Sequence, residues 1–402
     1  MASASPPPGA PASAPPRDAR GAPAPPLRWG GVEGGGTSWV CAVAEGEPDR
    51  IVARAEFPTT DPRTTLASVR AWLDARHAER ALDALGVATF GPVDLDRSSP
   101  TYGHITHSPK PGWEAVDVLG AVAANLPPDL PIGFDTDVNA PAVAEFAAIR
   151  REAERRAADA LEDNGDPADD DASASRAFGG ITNLAYVTVG AGVGVGLICA
   201  SEPVHGLSHP EAGHVRVARL ASDGHPGEPG AFEGVCAYHG DCIEGMAGAA
   251  AIAKRCDCAV ADLAGVVDSH PAWDAAAHYV AGLIATLVMV ASPQRVVLGG
   301  GVLQRKTLVT KIRAHVKRQL GGYVRHEFVE TGRGLTEFIV PSRWGNAAGI
   351  VGALALAERA HGEAPRRRRR SWKSRAVHFA VGIFSAFATV KVVNGKLNIG
   401  GA

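Results

Sequence analysis

Several features that would mark a protein class are scarce in this chain. Six cysteines among 402 residues are too few and too scattered for a disulfide framework, which sets aside the small stapled secreted scaffold and makes a reducing compartment the simpler setting. The formal net charge of -3 is too near neutrality to argue for a nucleic-acid or membrane partner. The first stretch, Met1 to Pro26, is nearly all Ala, Pro, Ser and Gly. It lacks the apolar h-region of a secretory signal and cannot build a core, so residues 1–28 read as a disordered leader, and the density of proline argues against a transit peptide.

What is present is a large apolar fraction, 46% of the chain, enough for one two-lobed enzyme or two compact units. A low-complexity stretch, 150–179, begins as the continuation of a helix and passes into an acidic run at Asp169 to Asp171. It reads as a solvated insertion. The tail, 362–402, carries five consecutive arginines, Arg366 to Arg370, and then an apolar run, Ala376 to Val393. That run is short for a membrane span and contains Lys391, so a cytoplasmic protein is expected.

Two segments have the same character. Trp29 to Val43 and Ala185 to Ile198 both read as strand, glycine turn, strand, which suggests two related lobes. Clustered glycines let backbone amides approach an anion; they also serve tight hairpins that need positive φ, and either hairpin alone leaves both readings open. A third cluster, Gly299 to Gly301, follows the β-branched run Arg295 to Leu298 and precedes a helix-like segment, Leu303 to Leu320. Strand, glycines and helix bring a nucleotide onto a helix N-terminus. Small residues at Gly345 to Gly349 suit either close helix packing or a wall beside that nucleotide.

The densest chemistry runs from His209 to Gly245. His214, Cys236, His239 and Cys242 form a complete set of two imidazoles and two thiols, the donors of a closed structural zinc site. Glu211 and Glu244 are left over close to those ligands, where a metal would hold them for recognition of several hydroxyl groups. Asp137, with Asn139 beside it, follows a short strand candidate, Pro131 to Phe134. A carboxylate there is either a general base or an ordinary cap of the helix beginning near Pro141.

Taken together, GGVEGGGT at Gly30 to Thr37, ATFGPVDL at Ala88 to Leu95, SPKPGW at Ser108 to Trp113, GFDTDVNA at Gly133 to Ala140, HPEAGH at His209 to His214 and CAYHGDCIEG at Cys236 to Gly245 resemble the ROK family of sugar kinases and regulators, and within it the bacterial-type fructokinases. The resemblance covers Gly30 to about His361. It implies an α/β, actin-like (ribonuclease H-like) fold of two lobes with a structural zinc loop: a small lobe of about 29–138 plus a C-terminal helix, and a large lobe of about 139–340. It implies transfer of a phosphoryl group from ATP, with Mg2+, to fructose, giving fructose 6-phosphate. Asp137 matches the catalytic base. Asn139, Glu211, His214 and Glu244 match sugar-binding positions, with His214 also a zinc ligand. Gly35, Gly36 and Thr37 match the first phosphate turn, Gly190, Gly192 and Gly194 the second, and Gly299, Gly300 and Gly301 the nucleotide side, while Glu33 matches an acidic position associated with magnesium. A homodimer is expected.

Four positions depart from the family pattern. Ser38 stands where lysine is common, Ala191 replaces a threonine, Val195 interrupts a glycine run and Asn346 stands where aspartate is usual. Losing a hydroxyl and a cation near phosphates should weaken nucleotide binding. Competing readings are a kinase preferring mannose or glucose, a weakened sugar sensor, and a DNA-binding regulator of the same family. The last needs a helix-turn-helix domain ahead of the core, for which the leader offers no helix. An independent nucleic-acid-binding zinc module lacks the basic and aromatic residues it would need.

Overall fold

A computed structural model describes residues 25–108, 110–162 and 180–364. Most of the leader, the insertion from residue 163 on and the tail from residue 365, with its arginine and apolar runs, lie outside the described residues. Two five-stranded sheets organise the rest. The first contains β1 (Arg28–Gly34), β2 (Ser38–Glu45), β3 (Ile51–Pro58), β4 (Ala84–Thr89) and β5 (Ile132–Thr136) in the order β3-β2-β1-β4-β5. The second contains β6 (Leu184–Val189), β7 (Val193–Cys199), β8 (Glu202–Pro203), β9 (Arg295–Gly299) and β10 (Ile339–Pro341) in the order β10-β9-β6-β7-β8. In each sheet three antiparallel strands are followed by two that join parallel to the first. The two lobes therefore repeat one topology.

Local signals explain where helices begin. In α1 (Pro62–Glu79) the side chain of Asp61 accepts the Thr64 amide at 3.0 Å and proline occupies the first turn, a standard N-terminal arrangement. Helix α2 (Val118–Ala123) is capped by Asp117. Helix α3 (Asn139–Glu162) runs on into the insertion, α4 (Ile243–Ala247) and α5 (Ala249–Cys256) follow the segment from Cys236 to Cys242, and α6 (Pro271–Ala291) and α7 (Lys306–Leu320) cover the second sheet. The expected helix from Leu303 is interrupted, because Arg305 is extended and separates a short turn, Val302–Gln304, from α7. Helix α6 is long and apolar enough to cross a membrane, yet 67% of its most apolar window is buried in this core.

Many of the glycines serve the packing of helices on sheets. Gly31, Gly86 and Gly133 lie side by side in register on β1, β4 and β5, and the helix 348–364 lies across them. A Cβ on Gly86 would come within 1.8 Å of the Ala353 carbonyl, and one on Gly133 within 2.5 Å of that of Leu356. Only glycine admits a helix backbone so close to a sheet. The second lobe repeats the device: a Cβ on Gly196 would lie 2.0 Å from the Val138 carbonyl at the start of α3. The two helices meet where Gly352 packs against Ala140 and Pro141, and the buried cluster around that crossing joins the lobes.

Candidate active site

Asp137 stands directly after β5, its amide donating to the Thr89 carbonyl at 2.9 Å. Capping of α3 falls to a neighbour, since the Thr136 hydroxyl accepts the Asn139 amide at 3.0 Å. Among the described residues no side chain bonds the Asp137 carboxylate, and burial pushes its pKa up to about 6. Asn139 is fully buried. Its side-chain amide donates to Asp135 at 2.8 Å and accepts the Leu197 amide at 3.4 Å, so it braces the strand-to-helix junction and has no free face toward a ligand.

Three further carboxylates gather around Asp137. Burial, then the charge of Asp137, pushes Glu33 up to about 7; the Arg54 charge and an amide hydrogen bond from Ile350 act in the opposite sense. Glu211 is likewise raised to about 7 by burial, by Asp137 and by Glu244. Glu244 accepts the Val193 amide at 3.1 Å and occupies the space a Cβ on Gly192 would need, at 2.5 Å. The raised values of Asp137, Glu33 and Glu211 make this group a candidate reactive or ligand-binding site.

The glycine turns differ in what surrounds them. At the first, Gly35 donates to the Ser38 carbonyl at 2.9 Å, Gly36 has open space beside it and Thr37 is exposed. At the second, Gly190 donates to the Gly192 carbonyl at 2.9 Å, while Gly194 packs on Val138 beside Asp137. At the third, Gly299 packs on the Tyr186 ring, Gly300 has a φ of +88° that favours glycine, and Gly301 is open. A cavity of about 540 Å³ joins the second turn to the third, lined by Gly190, Ala191, Trp273, Gly301 and Arg305. A larger one, about 880 Å³, opens at the edges of β5 and β8 beside Asp135 and His205 and includes none of Asp137, Glu211 and Glu244.

One functional candidate escaped the sequence. Lys110 donates from Nζ to the Gly36 carbonyl at 2.5 Å across 74 residues, which sets a cation on the first turn. The anchor is Trp113, fully buried and stacked on Trp39 with ring centroids 5.4 Å apart. The SPKPGW motif was the available signal, but nothing local says that its lysine reaches Gly36. Of the departing positions, Ser38 bonds Glu56, Val195 points into the core, Ala191 is exposed at its turn, and Asn346 accepts from Gln304.

His214, Cys236, His239 and Cys242 converge with all four donor atoms within 4.8 Å of one another. The Cys236 sulfur lies 3.7 Å from Nδ1 of both His214 and His239, and the Cys242 sulfur 3.5 Å from Nδ1 of His214. Ordinary zinc bond lengths and tetrahedral angles give a sulfur-to-nitrogen separation of about 3.6 Å. The residues therefore fit the metal. Burial pushes the Cys242 thiol up to about 11, a cost that a metal binding the thiolate offsets. Asp241, between two of the ligands, is gripped by Arg216 at 2.6 Å and Arg219 at 3.2 Å, so the loop is braced by charge as well.

The family model described as ROK family matches residues 29–156 and 172–360. The chain is 36% identical over 331 residues to the putative fructokinase of Bacillus subtilis (strain 168), covering 82% of this chain and 95% of that one. It is 32% identical over 332 residues to the fructokinase of Pediococcus pentosaceus, covering 82% and 98%. A ROK family glucokinase from Streptomyces griseus, solved in complex with glucose and AMPPNP, superposes with a TM-score of 0.56 at 20% identity over 83% of this chain and 99% of that one, and so shares the fold. With the repeated sheet topology and the matched length, these findings place the chain: it belongs to the ROK family and has that family's actin-like, two-lobed α/β fold.

Proposed function

We propose that this sugar kinase of the ROK family transfers the γ-phosphoryl group of MgATP to fructose, forming fructose 6-phosphate and ADP. The observation that carries the reading is the Asp137 carboxylate, free of any capping bond and raised to about 6 among Glu33, Glu211 and Glu244. Asp137 takes the proton of the sugar hydroxyl as its oxygen attacks the γ-phosphorus and the bond to the ADP oxygen breaks. Glu211, His214 and Glu244 bind sugar hydroxyls, and Asn139 braces the strand-to-helix junction that carries the base. Glu33 stands on the magnesium side of the nucleotide.

The glycine turns at Gly35 to Thr37, Gly190 to Gly194 and Gly299 to Gly301 receive ATP, with adenine in the cavity between the second and third. Lys110 supplies a cation at the first turn, where Ser38 has none. Zinc, held by His214, Cys236, His239 and Cys242, would supply a rigid cross-link for the segment carrying the sugar ligands. Action in the cytoplasm and a homodimer go with this reading. Fructose is favoured because curated relatives above 30% identity bear fructokinase names. A coupled assay with ATP against fructose, mannose, glucose and N-acetylated hexosamines tests it. The highest kcat/KM is expected for fructose; a higher value for another hexose removes the fructokinase label, and no turnover with any sugar removes the kinase.

A further inference from the structure

His209 opens the HPEAGH motif and has no part in the reaction described above. It lies two residues before Glu211 in the second lobe and is only 7% exposed. Its Nε2 accepts the amide of Val93, in the loop after β4 of the first lobe, at 3.1 Å across 116 residues. A ring nitrogen that accepts carries no proton, and burial, the largest influence, holds the imidazole below its ordinary pKa, so the ring is neutral with its proton on Nδ1. That Nδ1 is buried and, among the described residues, makes no hydrogen bond of ordinary geometry. Two acceptors flank the ring, the Glu211 carboxylate with Oε1 at 3.4 Å from Nδ1 and the Pro210 carbonyl.

The pair is poised for a hydrogen bond. A buried N–H whose hydrogen bonds are long or poorly aligned is unfavourable, while the Glu211 side chain is 47% exposed and so has room to move. A shift of a few tenths of an ångström brings its oxygen into bonding range of Nδ1. The segment is also hooked to the first lobe four residues earlier, where His205 Nε2 lies 2.9 Å from the buried Asp135 carboxylate. Position 209 thus links a fixed point in one lobe to a movable carboxylate in the other.

We propose that His209 is a positioning residue: Nε2 fastens the sugar loop to the first lobe at Val93, and Nδ1–H aims the Glu211 carboxylate at the sugar. The proposal rests on Glu211 being a sugar ligand. Two substitutions separate the nitrogens. His209→Gln keeps an acceptor near the Nε2 position and loses the Nδ1 donor, whereas His209→Asn keeps a donor near Nδ1 and loses the hook. His209→Gln is expected to raise the sugar KM about tenfold, with the KM for ATP unchanged and kcat reduced less than about threefold. His209→Asn is expected to stay within about threefold of wild type in sugar KM.

Glu211→Gln completes the cycle. Once Glu211→Gln is present, adding His209→Gln should change sugar KM no further. A full additional loss in the double variant, or a tenfold loss in His209→Asn, overturns positioning through Glu211. The latter outcome decides the matter even where His209→Gln does not fold. Equal losses in sugar and ATP KM mark His209 as a structural hook alone, with no action through Glu211, and overturn the proposal too. If Glu211→Gln leaves sugar KM unchanged, the sugar-ligand reading itself fails and the proposal falls with it, an outcome distinct from additivity.

Discussion

The glycine turns at Gly35 to Thr37 and at Gly190 to Gly194 are alike in sequence and sit at equivalent points of two sheets with one topology, yet their surroundings differ. Beside Gly36 there is open space and the ammonium of Lys110, whereas Gly192 carries the Glu244 carboxylate against it. Both turns are assigned to ATP in the proposal above; the first has a cation beside it, and the second also backs the Glu244 carboxylate. The lesson is that a glycine hairpin states only that backbone is accessible. What approaches it is decided by side chains brought from elsewhere in the fold.

The largest break in that comparison comes from the group between the turns. Asp137→Asn should lower kcat on the order of 10²- to 10⁴-fold, measured in the coupled assay with fructose. The same variant should be more stable than wild type. Its folded pKa, about 6, lies above the ordinary aspartate value of 3.8, so the folded state binds more protons and this group costs stability as pH rises from about 4 through 6. A higher Tm at pH 7.5 with lost turnover is the expected pair; near-wild-type turnover removes Asp137 as base. In wild type kcat should fall as pH drops below about 6, where the base becomes protonated.

Next in size is the metal that would hold the sugar side. Purified protein should contain about one zinc per chain, and Cys236→Ser or Cys242→Ser should lose it together with saturable sugar binding, read by metal analysis and by calorimetry. Full occupancy in both variants would move the ligands elsewhere. The glycines come after. Gly86→Ala places a carbon 1.8 Å from the Ala353 carbonyl and should cost at least about 3 kcal/mol in chemical denaturation. Gly36→Ala meets nothing within 4 Å and should cost less than about 1 kcal/mol. Similar costs would show that the helix 348–364 does not press on the sheet as described.

That contrast also marks how far the sequence could be read. The Cys/His cluster was legible because three of its members, Cys236, His239 and Cys242, lie within seven residues and share one loop. Asp137 was legible only as a contest between base and cap; the Thr136 hydroxyl takes the Asn139 amide, so the cap bond is made without Asp137, and the base is the role proposed above. The row of Gly31, Gly86 and Gly133 was not legible, since it exists only once three distant strands pair in register. For the same reason Gly30 and Gly31 were indistinguishable from Gly35 and Gly36, although the first two pack on Leu82 and Leu354. Asn139 was placed near the sugar by its motif; burial turns its amide inward.

The smallest expected effect bears most directly on the two turns. If Lys110 is the cation of the first turn, Lys110→Met should raise the KM for ATP about tenfold and leave that for sugar unchanged. Gly192→Ala should act on the sugar as well: its new Cβ would lie 2.5 Å from Glu244 Oε2, pushing the carboxylate aside and raising sugar KM a few-fold. Ser38→Lys, placed in the Lys110→Met background, restores a cation to the same turn from its other side and should recover part of the ATP affinity. Recovery would mean that the turn needs positive charge and is indifferent to its source, as expected for a point-charge contact with phosphate. Without recovery, Lys110 would instead act by fastening the SPKPGW segment to Gly36, and a fall in Tm for Lys110→Met equal to that of a Trp113→Phe variant would identify that role.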